Sequence, residues 1–72
     1  MKHEVVITGI FYGTSKSGNP YRLLYLEDAE SESNERFEGR RTYNSFAPSK
    51  GNFAVGDVID IIVHKGEVIV IA

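Results

Sequence analysis

The chain has 72 residues, a length that fits one small domain with a single core. Hydrophobic residues make up 42% and charged residues 25%, as in a globular protein and unlike a disordered chain. The absence of cysteine excludes disulfide scaffolds, thiolate zinc sites and cysteine nucleophiles. Because no apolar stretch is long enough for a membrane span and no leader pattern is present, we expect a cytoplasmic protein without membrane contact.

The charge is unevenly distributed. The formal net charge is −2, which by itself disfavours a polyanionic partner. Residues 27–38, the acidic segment, hold six acids and only one base, Arg36. The rest of the chain therefore holds seven bases and four acids, so that the remainder is mildly basic and a polyanionic partner stays open.

The first half of the chain predicts a β-hairpin. Residues 3–12 are β-branched and aromatic, which is typical of a strand, and Gly9 permits a sharp bend in its middle. Residues 13–20 are nearly all turn formers. Residues 21–28 then form the second predicted strand, which pairs with the first.

The second half predicts three further strands. We expect a solvated loop over residues 29–35 and a third strand over 36–46, bent at Gly39. A turn-rich segment, 47–53, leads to a fourth strand over 57–64. The Lys65-Gly66 pair predicts a short reversal into a fifth strand over 67–71.

Five short strands, with no helix between the third and the fourth, predict an all-β protein. A small oligonucleotide-binding (OB) type β-barrel is the leading expectation, because closure protects strand edges that would otherwise aggregate. An SH3-like barrel of similar size is the alternative. The positions that we expect to point inward are Val5, Ile7, Leu24, Leu26, Val58, Ile62, Val68 and Val70.

The sequence offers little support for catalysis. The two histidines, His3 and His64, are far apart and neither lies in a nucleophile-base context. The acidic segment lacks the glycine and the ligand spacing of a calcium loop. We therefore expect no enzymatic activity, no metal site and no cofactor.

Aromatic and basic residues alternate along the second and third predicted strands. By the two-residue period of a strand, Tyr21 and Tyr25 share one face of the second strand and Arg22 lies on the other. Unpaired nucleic-acid bases stack on aromatic rings, and lysine or arginine neutralises phosphates. The candidate nucleic-acid-binding residues are Tyr12, Lys16, Tyr21, Arg22, Tyr25, Arg40, Arg41 and Tyr43.

Two stretches, SKSGNPYRLLYLED at 15–28 and FAVGDVIDIIV at 53–63, carry a resemblance to a known family. Together they resemble the small single-stranded-DNA-binding proteins of filamentous and related phages, which are five-stranded OB barrels. The resemblance implies that Lys16, Tyr21 and Arg22 line a groove for the DNA strand, with weaker support for Tyr25. The family dimerises through a long hairpin near its C-terminus, whereas the reversal at 64–67 is short here.

Two functions follow as hypotheses. The first is sequence-independent binding of single-stranded DNA, with RNA as an open possibility, in the replication or recombination of a phage, plasmid or mobile element. The second is a protein adaptor that docks through the acidic segment or a strand edge. The acidic segment is also a possible docking site for a replication or recombination protein in the first case. We further expect a homo-oligomer, with the apolar strand 68–71 near the interface.

Overall fold

The computed structural model describes residues 2–71, and these contain no helix, hence none that could cross a membrane. The described residues form seven strands. Their bounds are β1 Lys2–Thr14, β2 Pro20–Asp28, β3 Glu32–Ser33, β4 Glu38–Gly39, β5 Thr42–Phe46, β6 Val58–His64 and β7 Glu67–Val70. The all-β class predicted from the sequence is confirmed.

Five of the strands form one antiparallel sheet in the order β5-β2-β1-β6-β7. The long first strand pairs with β2 along most of its length and with β6 along its first half. The two edge strands, β5 and β7, approach each other, and the hydroxyl of Ser45 donates to the Val68 carbonyl at 3.3 Å. The sheet therefore nearly closes into a barrel, consistent with the predicted OB type.

A bulge in β1 supplies the bend that closure requires. The register with β2 shifts between Ile7 and Gly9, which leaves Thr8 as the extra residue. The Thr8 hydroxyl donates to the Tyr25 carbonyl at 3.2 Å. The bulge thus lies at Thr8, directly before Gly9, where the sequence predicted a bend.

The core confirms the predicted inward face for β1 and β2 and corrects it for β6. Four predicted core residues are fully or almost fully buried: Val5, Ile7, Leu24 and Leu26. Two predictions are wrong, because Val58 is 57% exposed and Ile62 lies on the same outer face. Ile59 and Ile61 are buried instead, since β1 places Val5 opposite Ile59 and Val6 opposite Val58. The last two, Val68 and Val70, are half-buried against the core.

The acidic segment is more ordered than the predicted loop, and the predicted third strand is interrupted. Strands β3 and β4 pair as a small separate hairpin. The Asn34 side-chain oxygen accepts hydrogen bonds from the backbone amides of Arg36 and Phe37, which forms the turn. Gly39 adopts a φ of 129°, a conformation that side chains disfavour, and the chain leaves the hairpin there before β5 begins.

Candidate functional site

A row of exposed aromatic rings crosses the outer surface of the barrel on β1, β2 and β5. Cross-strand pairing places Phe11 opposite Leu23 and Leu23 opposite Phe46. The Tyr21 ring lies between the two phenylalanines, with centroids 6.4 Å from Phe11 and 5.5 Å from Phe46. Phe11 is 50% and Phe46 66% exposed, far more than core packing alone requires. We call this surface the aromatic face, and its members are Phe11, Tyr21, Leu23, Tyr25 and Phe46.

A glycine lets the central ring lie close against the sheet. Gly13 is opposite Tyr21 in the β1–β2 register. A Cβ atom at Gly13 would come within 2.5 Å of the Tyr21 Cζ and Oη atoms, so any larger residue would displace the ring. The Tyr21 ring therefore packs directly over the backbone of β1, which orients it toward its two phenylalanine neighbours.

A groove adjoins the aromatic face at the same end of the barrel. It has a volume of about 540 Å³ and runs between the ends of β1 and β2 and the 47–52 segment. Tyr12 and Arg22 face each other across the β1–β2 ladder on its wall, and Tyr21 lines it too. Tyr12 is 70% exposed. Tyrosine side chains thus border both the groove and the aromatic face.

Arg22 fixes the far wall of this groove. Its Nη2 donates to the Pro48 carbonyl at 2.8 Å and its Nη1 to the Gly51 carbonyl at 3.2 Å. The guanidinium also lies over the Phe53 ring, 5.4 Å from the centroid. Two of its donors are therefore used within the chain, and Arg22 acts first as a positioning residue for the 47–53 segment.

The segments that form the aromatic face and its groove carry more positive than negative charge. Residues 11–24 and 44–53 contain three bases, Lys16, Arg22 and Lys50, and no acid. Lys16 is exposed in the turn between β1 and β2, which closes with a 2.8 Å hydrogen bond from the Ser15 amide to the Asn19 carbonyl. Lys50 is exposed in the segment that Arg22 holds. Asp57 lies next to these segments, where its carboxylate accepts a hydrogen bond from the Ala54 amide, so the local charge is positive on balance and attracts a polyanion.

Three of the candidate residues lie elsewhere, with the acids. Arg40 is 3.8 Å from the Glu27 carboxylate, and Arg41 forms a hydrogen-bonded ion pair with Glu32. That hydrogen bond and the charge of Glu32 raise the pKa of Arg41 above its ordinary value. Each arginine pairs with one acid of the acidic segment, so its positive charge is partly cancelled locally.

Tyr43 belongs to a half-buried polar cluster at the end of the barrel far from Tyr12. Its hydroxyl lies 3.4 Å from an Asp28 carboxylate oxygen, and its ring is 5.7 Å from that of His3. Burial, and then the Asp28 charge, raise the pKa of the Tyr43 hydroxyl. The tyrosine therefore stays protonated and points into the fold, away from the aromatic face.

The eight candidate residues thus divide into two groups. Four of them, Tyr12, Tyr21, Arg22 and Tyr25, lie on the aromatic face or in the adjoining groove, and Lys16 lies in the turn beside them. Arg40, Arg41 and Tyr43 lie with the acidic segment. The sequence analysis missed Phe11, Phe46 and Lys50. Pairing of the two strands of the predicted hairpin, in which Phe11 lies opposite Leu23, could have identified Phe11.

Comparison of the chain with family models, with curated proteins and with solved structures found no match in any of the three. A function must therefore be inferred from the chemistry of the surface itself.

Proposed function

We propose that the protein binds single-stranded nucleic acid, in the first instance DNA, without reading its sequence. The observation that carries the proposal is the aromatic end of the barrel, where exposed rings and three bases occur together and the segments 11–25 and 44–53 contain no acid. Binding is non-enzymatic, and the bases of the strand stack on the aromatic face while Lys16 and Lys50 attract its phosphates.

The stacking part depends on the spacing of the rings. Phe11, Tyr21 and Phe46 are contiguous, with neighbouring centroids 5.5–6.4 Å apart. Every nucleic-acid base has a π-face, so such a row accepts any sequence. In OB barrels the face of the second and third strands binds oligonucleotides, and β2 and β5 occupy those positions in this sheet. We expect a short footprint, near the lower end of the roughly 4–16 nucleotides that one OB fold covers.

Most of the acidic segment lies at the opposite end of β2 from Tyr21, and only Glu27 comes close to the aromatic face, two residues beyond Tyr25. Strand β2 separates Tyr21 from Asp28, and an extended strand rises about 3.3 Å per residue, so the two ends are roughly 23 Å apart. That distance exceeds the Debye length of about 8 Å at physiological salt. The net acidity of the chain is thus compatible with a polyanionic ligand at the aromatic end.

The experiment that tests the proposal is a fluorescence titration with labelled oligo(dT) at two salt concentrations. We expect quenching of tyrosine fluorescence, and an affinity that falls as the salt concentration rises. The same titration with oligo(U) compares DNA with RNA. An absence of binding at tens of micromolar protein in low salt would reject the proposal and favour the protein adaptor.

The two isolated lysines set the salt dependence. Replacing Lys16 and Lys50 by glutamine should reduce the slope of log K against log salt by roughly 0.7 for each phosphate that is no longer neutralised. Lys65→Gln is the matched control, because Lys65 is exposed in the β6–β7 turn, outside the segments that form the aromatic face and its groove. An unchanged slope in the double variant would show that these lysines do not bind the phosphates.

Neutralising glutamates of the acidic segment tests how negative charge affects binding. The triple change Glu30→Gln, Glu32→Gln and Glu35→Gln removes three exposed negative charges. Because these charges repel phosphate, we expect oligo(dT) affinity to remain the same or to rise, as measured by the same titration. An absence of binding in this variant, with normal binding after Tyr21→Ala, would instead make the acidic segment the functional surface.

A further inference from the structure

The groove beside the aromatic face has the size and the lining of a small-molecule site. Its volume is about 540 Å³, and such sites measure roughly 300–1,000 Å³ and combine aromatic side chains with a few polar groups. Tyr12 and Tyr21 supply the rings of this groove. Arg22, Ser49 and Asn52 supply its polar groups. No acid is among the described residues that line it, so an anion that enters the groove meets no carboxylate on its walls.

Arg22 retains hydrogen-bond donors that a ligand could use. A guanidinium group has five N–H donors, and the bonds to the Pro48 and Gly51 carbonyls use two of them. The other donors have no hydrogen-bond partner within the described part of the chain. Arginine binds phosphate oxygens through short, charge-assisted hydrogen bonds. The same side chain can therefore hold the 47–53 segment and bind one phosphate.

Tyr12 lies where the base attached to such a phosphate would stack. It is directly opposite Arg22 in the β1–β2 register, and directly opposite residues have Cβ atoms about 4.5–5.5 Å apart on the same face of a sheet. The Tyr12 side chain is 70% exposed, so its ring is accessible to a base. The ring and the guanidinium are thus close enough to contact the base and the phosphate of one nucleotide.

Ser49 and Asn52 provide hydrogen bonds for the edge of that base. Both line the groove, and neither side chain has a hydrogen-bond partner among the described residues. A hydroxyl and a carboxamide can each donate and accept. They therefore suit the donors and the acceptors of any base, in agreement with binding that does not depend on sequence.

We propose that the groove is a subsite for one nucleotide, with the base against Tyr12 and the phosphate at Arg22. This inference rests on the proposed function, because Tyr21 belongs to the aromatic face and also lines the groove, so a strand on that face can continue into it. A nucleotide within a strand and a free mononucleotide present the same chemistry, and the experiment distinguishes them.

The subsite is tested by two-dimensional amide NMR spectra during titration with thymidine 5′-monophosphate. We expect the backbone amide signals of Gly13, Gly51 and Asn52 to shift. Thymidine, which lacks the phosphate, should bind roughly fivefold or more weakly, because it makes no charge-assisted hydrogen bond to Arg22. Oligo(dT) should bind more tightly than the monophosphate, because it covers the aromatic face as well.

A pair of tyrosine variants locates the bound nucleotide. Tyr12→Ala should weaken binding of the monophosphate roughly fivefold or more. Asn52→Ala, with a smaller expected loss, is a second variant should the first fail to fold. Tyr25→Ala is the matched control, because Tyr25 is 44% exposed on the aromatic face and does not line the groove. It should weaken binding of oligo(dT) and leave binding of the monophosphate unchanged.

The failure of this inference is distinguishable from the failure of the proposed function. If oligo(dT) bound while the monophosphate did not shift the groove amides, the subsite would be rejected and the proposed function retained. Equal affinities for thymidine and its monophosphate, or equal losses in Tyr12→Ala and Tyr25→Ala, would also overturn the inference. Binding of the monophosphate in the groove without binding of oligo(dT) would reject the proposed function and make a free nucleotide the ligand.

Discussion

Truncating Leu24 to alanine should lower the free energy of unfolding by about 2–5 kcal/mol. Leu24 is fully buried at the centre of β2 and is one of only six buried hydrophobic side chains among the described residues. A domain of this length is stabilised by roughly 4–11 kcal/mol in total, so the change would leave much of the chain unfolded. The measurement is the midpoint of urea unfolding, followed by circular dichroism.

Val58→Ala is the control for this variant, because it also shortens an aliphatic side chain in a strand of the same sheet. Val58 is 57% exposed, so its truncation should change the free energy of unfolding by less than about 1 kcal/mol. If Leu24→Ala unfolded at the same urea concentration as the unmodified chain, Leu24 would not occupy the core.

The contrast between these two residues shows what the sequence could predict of the core. In β2 the inner positions, Leu24 and Leu26, alternate with Leu23, Tyr25 and Glu27, and the tyrosine and the glutamate identify the opposite face as the exposed one. In β6 the sequence VIDIIV is mostly apolar on both faces, but Asp60 shares a face with Val58 and Ile62 and is the local sign that this face is the exposed one. The pairing with β1, which sets Val5 opposite Ile59, agrees with this sign and fixes the register of the buried face.

The sequence likewise predicted those features of the candidate site that depend on local alternation, and not those that depend on contacts between distant segments. The shared face of Tyr21 and Tyr25 follows from local alternation. The ion pair of Arg41 with Glu32 and the hydrogen bonds of Arg22 to the 47–53 segment depend on where distant segments fold back. Phe46 joins Tyr21 through the β2–β5 register in the same way. The sequence alone therefore counted as ligand-binding residues arginines that make contacts within the chain, and it missed the two phenylalanines.

Replacing Tyr21 by alanine should weaken oligo(dT) binding by about 1–3 kcal/mol, or roughly 5- to 150-fold in the dissociation constant. Its ring is the centre of the row, between Phe11 and Phe46. Phe46→Ala should have a similar effect, and the double variant should lose less than the sum, because the two rings act as one platform. Since stacking is not ionic, the losses should be similar at low and high salt, unlike those of the lysine variants.

Two matched controls separate stacking from a general effect of truncation. Phe37→Ala removes a ring that lies outside the aromatic face, against Arg41 in the acidic segment. Val55→Ala removes a side chain that is 64% exposed, much like Phe46. Both should bind oligo(dT) as the unmodified chain does, provided circular dichroism shows that each variant is folded. Equal losses in the controls and in Tyr21→Ala would mean that the aromatic face does not bind the bases, and the protein adaptor would then become the better explanation of this barrel.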